Sequence, residues 1–571
     1  MEKIKKLREA FIREKIDGYI IPKNDEFFGE YIPDHNDRLN YISKFSGSFG
    51  FSLILNNKNY LFVDGRYTLQ ANNQSGKIFK IITLPYKPSD ILKNRKLLIG
   101  FDPKLFTKNV LKIFFGKKNF RLKPLNNNLI DEIWKRKIKL NQNKYYKLPD
   151  QFVGQRYQSK INKIVSYLKK KKADYLFITA SENNAWLFNI RGRDTEYTPI
   201  PYSHALVGQN KKIKFFCNLK NISSSFKKEF NKIEFIQKEF TDKFLSKIHK
   251  KKFILDKTTC SFYFENIISK NNKVINYHDP IYYLKSIKNK MEIKNIKKAH
   301  KYDGVALTKF LFWLKKNYER KKITEISASQ KLYNLRKYNK KFKFLSFPTI
   351  SGSGPNGAII HYKPTKQTDR KIKKGDIYLV DSGGQYEFGT TDVTRTISLK
   401  NSNKRIKNIF TRVLKGHIAV ASYNLKKNTT GSQIDIRARK YLKQVGLDYA
   451  HGTGHGVGYF LNVHEGPHAI SKNNKIKFQE GMVVSNEPGY YEKNKFGIRI
   501  ENLIYVKKNK QKKFFENLTM VPIDKNLISK NLLSSEEKKW VNHYHKNVYK
   551  NLKSFMIKNE LHELKKACST I

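Results

Sequence analysis

Apolar residues recur along this chain with two periods, and the alternation between them marks out its elements. Ile4, Leu7, Phe11 and Ile12 fall on one face of a helix, Asp17-Gly18 interrupts it, and the apolar run Tyr19-Ile20-Ile21 reads as a strand. Strand patterns follow at Phe51 to Leu55, at Tyr60 to Val63 (which runs into Asp64-Gly65-Arg66), and at Leu97 to Phe101. The order then repeats. A helical stretch from Gln155 to Lys172 leads into Tyr175-Leu176-Phe177-Ile178, with strands near Ile213 to Phe216 and Phe253 to Leu255, so a second α/β unit related to the first is expected. A long helical stripe passes from Glu292 through Ala299, Ala306, Leu307, Phe310, Leu311 and Leu314. Two further amphipathic helices use Ile406, Ile409, Phe410, Val413 and Leu414, then Ile434, Ile436, Ala438 and Leu442, with strands between and after them. Ser534 to Met556 reads as a terminal helix. The patterns predict an α/β (α+β) protein divided at 1–138, 139–288, 289–510 and 511–571, the last part an extension that packs on the rest or joins a subunit interface.

Composition narrows the class. With 39% hydrophobic and 13% aromatic residues in 571, the chain can bury real cores and is globular. Its 114 Lys and Arg against 48 Asp and Glu give a net charge of +66, which predicts non-specific attraction to polyanions. The lysines are spread through every region and read as solvated faces; no helix-turn-helix, zinc-finger or ribonucleoprotein motif is present, so no specific nucleic-acid partner is expected. Cys217, Cys260 and Cys568 have no paired spacing, which argues against a disulfide framework or a thiolate zinc site. No run reaches the roughly 18 apolar residues of a membrane span, and the basic N-terminus continues into an amphipathic pattern rather than a cleavable leader. A cytoplasmic protein with no membrane partner is the expectation.

The chemistry concentrates after residue 290. Asp376-Ile377-Tyr378-Leu379-Val380-Asp381 is a buried-strand pattern ending in a carboxylate, and Thr391 to Ile397 alternates like the returning strand. A hairpin symmetrical about Tyr386 and Glu387 sets Asp381 directly opposite Asp392, with Cβ atoms about 5 Å apart. Downstream, Met482 to Glu487 and Gly497 to Glu501 flank Glu492-Lys493-Asn494-Lys495, and pairing centred near Asn494 sets Glu487 opposite Glu501. Between the hairpins lies His451-Gly452-Thr453-Gly454-His455-Gly456-Val457-Gly458, whose glycines admit close backbone approach and expose an imidazole. Four carboxylates at the ends of apolar strands need compensating charge, since unpaired burial raises their pKa values or unfolds the region. Divalent cations supply it: a carboxylate pair from each hairpin with one neutral imidazole is the ligand set of a two-metal hydrolytic site, ions about 3.5–4 Å apart. Oxygen-rich donors with a single imidazole favour Mn²⁺, with Co²⁺ or Zn²⁺ as alternatives.

These segments resemble the pita-bread metallopeptidases, and among them the long, three-domain aminopeptidases P. The resemblance rests on Asp381-Ser382-Gly383-Gly384-Gln385-Tyr386, Gly389-Thr390-Thr391-Asp392-Val393-Thr394-Arg395-Thr396, the His451 to Gly458 loop, Asn462-Val463-His464-Glu465-Gly466-Pro467, Asn486-Glu487-Pro488-Gly489-Tyr490-Tyr491 and Gly497-Ile498-Arg499-Ile500-Glu501-Asn502, all in order. It implies two creatinase-like N-terminal domains before a pita-bread domain, with metal ligands Asp381, Asp392, His455, Glu487 and Glu501. It also implies that His361 and His464 bind substrate and stabilise the tetrahedral intermediate, that Glu487 serves as general base, and that His451 and Arg499 line or support the substrate site. Tyr60 to Tyr67 is similar to the family's first-domain motif, which implies a substrate contact for Arg66. The implied activity is hydrolysis of the bond between an N-terminal residue and a following proline by a metal-bridging hydroxide, in a homodimer acting on peptides with Pro at position 2. Asn486 and Arg193-Asp194 depart from the pattern without removing a ligand. Standing beside this reading are a prolidase-like dipeptidase, a creatinase-like amidinohydrolase and a silent pita-bread binding domain; the intact five-residue set weighs against the last two.

Overall fold

The computed structural model describes residues 2–92, 96–117, 119–136, 143–400 and 402–571, so the boundary expected at 138/139 lies outside the described residues. The chain divides into two compact units, Met1–Asp150 with Gln155–Tyr282, and Gln151–Gly154 with Tyr283–Ile571.

The first unit carries two six-stranded sheets of one design. Strands β1 (Gly18–Pro22), β2 (Phe51–Leu55), β3 (Asn59–Val63), β4 (Lys80–Thr83), β5 (Leu97–Phe101) and β6 (Phe120–Pro124) lie in the order β4-β3-β2-β1-β5-β6. The β1/β2 and β2/β3 pairs are antiparallel; β3/β4, β1/β5 and β5/β6 are parallel. Strands β7 (Tyr175–Ile178), β8 (His204–Gly208), β9 (Ile213–Cys217), β10 (Ile233–Gln237), β11 (Lys252–Leu255) and β12 (Lys273–Asn276) repeat that order and those orientations strand for strand. The echo of helix then strand in the sequence is thus a repeated topology. Because β1 has neighbours on both sides and is buried along its whole length, it reads as a continuous apolar run rather than an alternation. Helix α1 (Glu2–Glu14) buries Ile4, Leu7, Ala10 and Phe11. Ile12, expected on that face, is 81% exposed, one step of helical rotation beyond the stripe.

The second unit is built from two helix pairs, each over a three-stranded sheet. Helices α2 (Lys290–Asn317) and α3 (Glu325–Lys337) cover β13 (Ile350–Ser353), β14 (Ile377–Ser382) and, beyond the short excursion of β15 (Gly384–Tyr386) and β16 (Gly389–Thr390), β17 (Val393–Ser398). Leu307, Phe310, Leu314 and Leu332 meet Tyr378, Val380, Val393 and Ile397 there. Helices α4 (Lys404–Ala421) and α5 (Gly431–Lys443) answer them, Val420, Ile434 and Ala438 packing on Val484 of β18 (Val483–Asn486) and on Ile504 and Val506 of a later strand. Ile436, expected on the buried stripe, is 70% exposed. After β19 (Gly489–Glu492) and β20 (Phe496–Arg499), β21 (Asn502–Asn509) turns directly into β22 (Lys512–Asn517), so the edge expected at 510/511 falls inside a hairpin. Helix α6 (Ser535–Leu552) then packs Val541, Tyr544, Val548 and Leu552 into a core shared with Ile409, Phe410, Val413 and Leu414 of α4. Among the described residues no helix is long and apolar enough to cross a membrane.

Candidate metal centre

Asp381 lies near the end of β14, and Asp392 immediately precedes β17. The strands pair as expected but in the register Asp381 to Thr394 and Ser382 to Val393, with Tyr386 opposite Gly389 at the turn. The turn is centred one residue later than Tyr386-Glu387, and moving a centre by one residue moves every pairing by two. Asp381 and Asp392 are therefore not directly opposite, which corrects that expectation, yet a slip of two leaves them on one face as diagonal neighbours. The second hairpin keeps the expected register. Asn486 pairs with Asn502, and Gly489 with Arg499, a single register that turns Glu487 towards Glu501 across the interruption at Pro488.

The strand ends converge. Asp392, His455 and Glu501 each present one potential ligand atom, all within 4.8 Å of one another. His455 Nε2 is 3.5 Å from Asp392 Oδ2 and 3.5 Å from Glu487 Oε1. Its Nδ1 lies 3.0 Å from the Gly456 carbonyl, which places a ring proton on Nδ1 and leaves Nε2 facing the carboxylates. Thr394 Oγ1 donates to Glu501 Oε2 at 2.8 Å and accepts from Arg499 Nε at 3.0 Å, and Arg499 Nη2 donates to Asp381 Oδ2 at 2.6 Å. Asp381 Oδ1 is buried without a hydrogen-bond partner.

The electrostatics describe a centre short of positive charge. Burial pushes Asp381 up to about 7 against the pull of Arg499, with the Asp392 and Glu487 carboxylates adding to the rise. Glu501 is raised well above the ordinary carboxylate range, by burial first and then by Asp392, Asp381 and Glu487. Burial opposes charge on His455, but the neighbouring Asp392 and Glu487 carry it up to about 9. Repelling carboxylates, a lone orphaned oxygen, one imidazole and no thiolate are the donor set that divalent cations fit.

The remaining expected residues are placed as follows. The His464 ring stands edge-on to His455, centroids 4.2 Å apart, and is exposed. His361 is half-buried just after the turn Gly354–Ala358; a Cβ on Gly497 would sit 1.8 Å from the Gly357 carbonyl, so this segment lies hard against β20. His451 Nε2 is 2.9 Å from the Tyr491 hydroxyl, which accepts from Arg499 Nη1 at 2.6 Å. Arg499 itself is 1% exposed with its donors turned to Asp381, Thr394 and Tyr491, so of the two roles expected for it, lining or supporting, the contacts are those of a support behind Asp381. Arg66 belongs to the first unit, where it pairs with Asp64 at 2.7 Å.

Two hydroxyls escaped the sequence reading. Ser485 Oγ accepts from the His455 amide at 2.9 Å and donates to Glu487 Oε1 at 3.1 Å, joining two candidate ligands; Thr394 does the same for Glu501 and Arg499. For Ser485 the available signal was a hydroxyl directly after the apolar run Met482-Val483-Val484.

Comparison with known proteins agrees with this architecture. Residues 294–508 match the model of metallopeptidase family M24, residues 3–124 and 136–292 each match a creatinase/prolidase N-terminal domain, and residues 514–571 match the C-terminal region of peptidase M24. A probable Xaa-Pro aminopeptidase P of Laccaria bicolor is 38% identical over 580 residues, covering 95% of this chain and 89% of the relative. Xaa-Pro aminopeptidase 1 of Dictyostelium discoideum is 36% identical over 588 residues, covering 96% and 92%. The X-prolyl aminopeptidase of Caenorhabditis elegans, described as a cytosolic enzyme with a di-nuclear active site, superposes with a TM-score of 0.95 over 100% of this chain and 99% of that one, at 32% identity.

Proposed function

From the premise that the chain belongs to metallopeptidase family M24, we propose that it is an exopeptidase that hydrolyses the bond between an N-terminal residue and a following proline. The observation that carries this is the meeting of Asp392, His455 and Glu501 within 4.8 Å, with Glu487 and Asp381 beside them and the carboxylates raising one another's pKa values.

Asp381, Asp392, His455, Glu487 and Glu501 would hold two divalent ions, Mn²⁺ by donor chemistry, which when bound acidify water and polarise a carbonyl. Glu487 Oε1, held by the Ser485 hydroxyl, takes the proton of the attacking water and passes it to the departing proline nitrogen. That nitrogen needs it: an Xaa-Pro bond is a tertiary amide without an N–H, so it leaves as a secondary amine only after protonation. His464 and His361 donate to the oxygen on which negative charge develops. A substrate's free amine would approach near Asp381, which Arg499 holds, and a requirement for that amine would make the reaction an exopeptidase one. A cytoplasmic location and a homodimer belong to the same reading, the former supported by the description of the C. elegans enzyme as cytosolic.

Matched peptides with Pro or Ala in second position, given to metal-stripped protein with and without Mn²⁺, test it. Mn²⁺-dependent cleavage of the Pro peptide alone, abolished in Asp392→Asn, is the expected result. Equal cleavage of both peptides would remove proline specificity, cleavage of dipeptides only would favour a dipeptidase, and no cleavage with any divalent ion would leave a silent binding domain.

A further inference from the structure

Directly behind the histidine loop lies a buried cluster that the hydrolytic reading leaves without a role. Glu465 Oε1 accepts from Lys288 Nζ at 2.6 Å, and Glu465 Oε2 is 3.4 Å from Lys285 Nζ. All three side chains are 1% exposed. Burial works against the Glu465 charge, but the two ammoniums overcome it and hold the carboxyl below its ordinary range. Two lysines on one buried carboxylate are costly, and fixed geometry is the return such an arrangement can give. The geometry it fixes is specific. The Glu465 amide donates to the Gly456 carbonyl at 2.8 Å, and the Gly456 amide donates to the His468 carbonyl at 3.1 Å, so the residue whose side chain the two lysines hold is also the one whose backbone ties the two arms of the loop together. His455 precedes Gly456 and His464 precedes Glu465; Glu465 turns inward while His464 turns out onto the His455 ring. Lys288 is itself held by its amide bond to the Gly481 carbonyl at the entry to β18, the strand that leads to Glu487.

We propose that the Lys285–Glu465–Lys288 cluster is a positioning clamp that sets His464 against His455. This rests on the reading of His464 as a substrate-binding residue. Lys288→Met is the informative variant because it leaves one ammonium on one carboxylate, whereas Glu465→Gln would strand two buried cations. In Lys288→Met, hydrogen exchange at the Gly456, Gly458 and Glu465 amides rises at least tenfold while bound metal per chain is unchanged. The kcat/KM on an Xaa-Pro peptide falls about 10- to 100-fold, as for other groups that orient an active-site ligand. Lys288→Arg restores both, and Lys288→Met costs nothing further in a His464→Ala background. Unchanged exchange in the loop, or activity losses that simply multiply with those of His464→Ala, would overturn the clamp. Should the wild type fail to cleave Xaa-Pro peptides at all, the functional reading falls, and loop exchange alone still decides whether the clamp holds the histidine loop.

Discussion

Ser485 is the smallest side chain at the centre, and it touches two of the five candidate ligands at once. Removing its hydroxyl leaves Glu487 Oε1 without the donor that orients it and the His455 amide without its acceptor. Ser485→Ala should lower kcat about 10- to 100-fold with KM and metal content little changed, measured by steady-state kinetics and metal analysis of the purified protein; an equal loss in Thr411→Ala, whose hydroxyl serves the Ser529 amide elsewhere, would show that hydroxyl loss alone is responsible. The contrast between Ser485 and Glu487 also shows what single residues disclose. A carboxylate at the end of an apolar strand conflicts with burial and so announces a compensating charge, whereas a hydroxyl in the same strand is compatible with ordinary packing and announces nothing. Arg499 shows what a resemblance alone leaves open. The resemblance left it either lining or supporting the substrate site, and the register of β20 turns it inward onto Asp381.

At the level of elements, the two hairpins differ in how plainly they mark their turns. The second turns through Asn494 at φ 61, a left-handed residue type that signals reversal, and its register follows from the sequence. The first reverses at Glu387-Phe388, two residues with no turn preference, so the centre is displaced by one and the acids shift to a diagonal. Face assignment survives because the side-chain period is two; direct opposition does not. The long helices and the repeated sheets were legible for a related reason, since their apolar stripes extend over many residues, while Ile12 and Ile436 sit at stripe edges where one step of rotation decides burial. The glycines of the histidine loop carry a sharper constraint. A Cβ on Gly454 would lie 1.9 Å from the Ser485 carbonyl, so the loop strand can approach β18 only without a side chain there. Gly454→Ala should destabilise the protein by about 1–3 kcal/mol or more and separate His455 from Glu487, seen as a lower urea midpoint together with weaker metal retention against a chelator. Gly446→Ala, with open space around its Cβ but a φ of +72, should show the smaller cost of backbone strain alone and no change in metal retention.

For the whole molecule, the +66 charge and the buried histidines act on different variables, salt and pH, and can be separated on that basis. The charge is dispersed over solvated faces, so polyanion binding should vanish as salt rises while hydrolysis of a small peptide persists. The buried histidines contribute to acid sensitivity. Burial lowers His204 to about 4, His417 to about 3 and His545 to about 3, with Arg395 adding to the effect on the last two. Each is neutral in the fold and takes up a proton on unfolding below its ordinary value of about 6.5, so between pH 6.5 and roughly 4 the unfolded chain binds more protons and stability falls as pH falls. Each group contributes up to about 1.4 kcal/mol per pH unit in that window. Asp25 has the opposite sign, because burial raises it to about 6 and it retains its proton in the fold while the unfolded carboxylate ionises, and the raised Asp381 and Glu501 share that sign, so the histidine contribution is read from a single substitution rather than from the net slope. His204 offers the check, since its ring packs among Phe27, Phe177 and Phe264, as a phenyl group would, and the substitution gives up only its hydrogen bond to the Thr179 backbone. His204→Phe should flatten the fall of the urea midpoint between pH 7 and pH 5, with the midpoint at pH 7 lowered by the lost hydrogen bond to the Thr179 backbone. Identical slopes in the two proteins would assign the acid sensitivity to other groups.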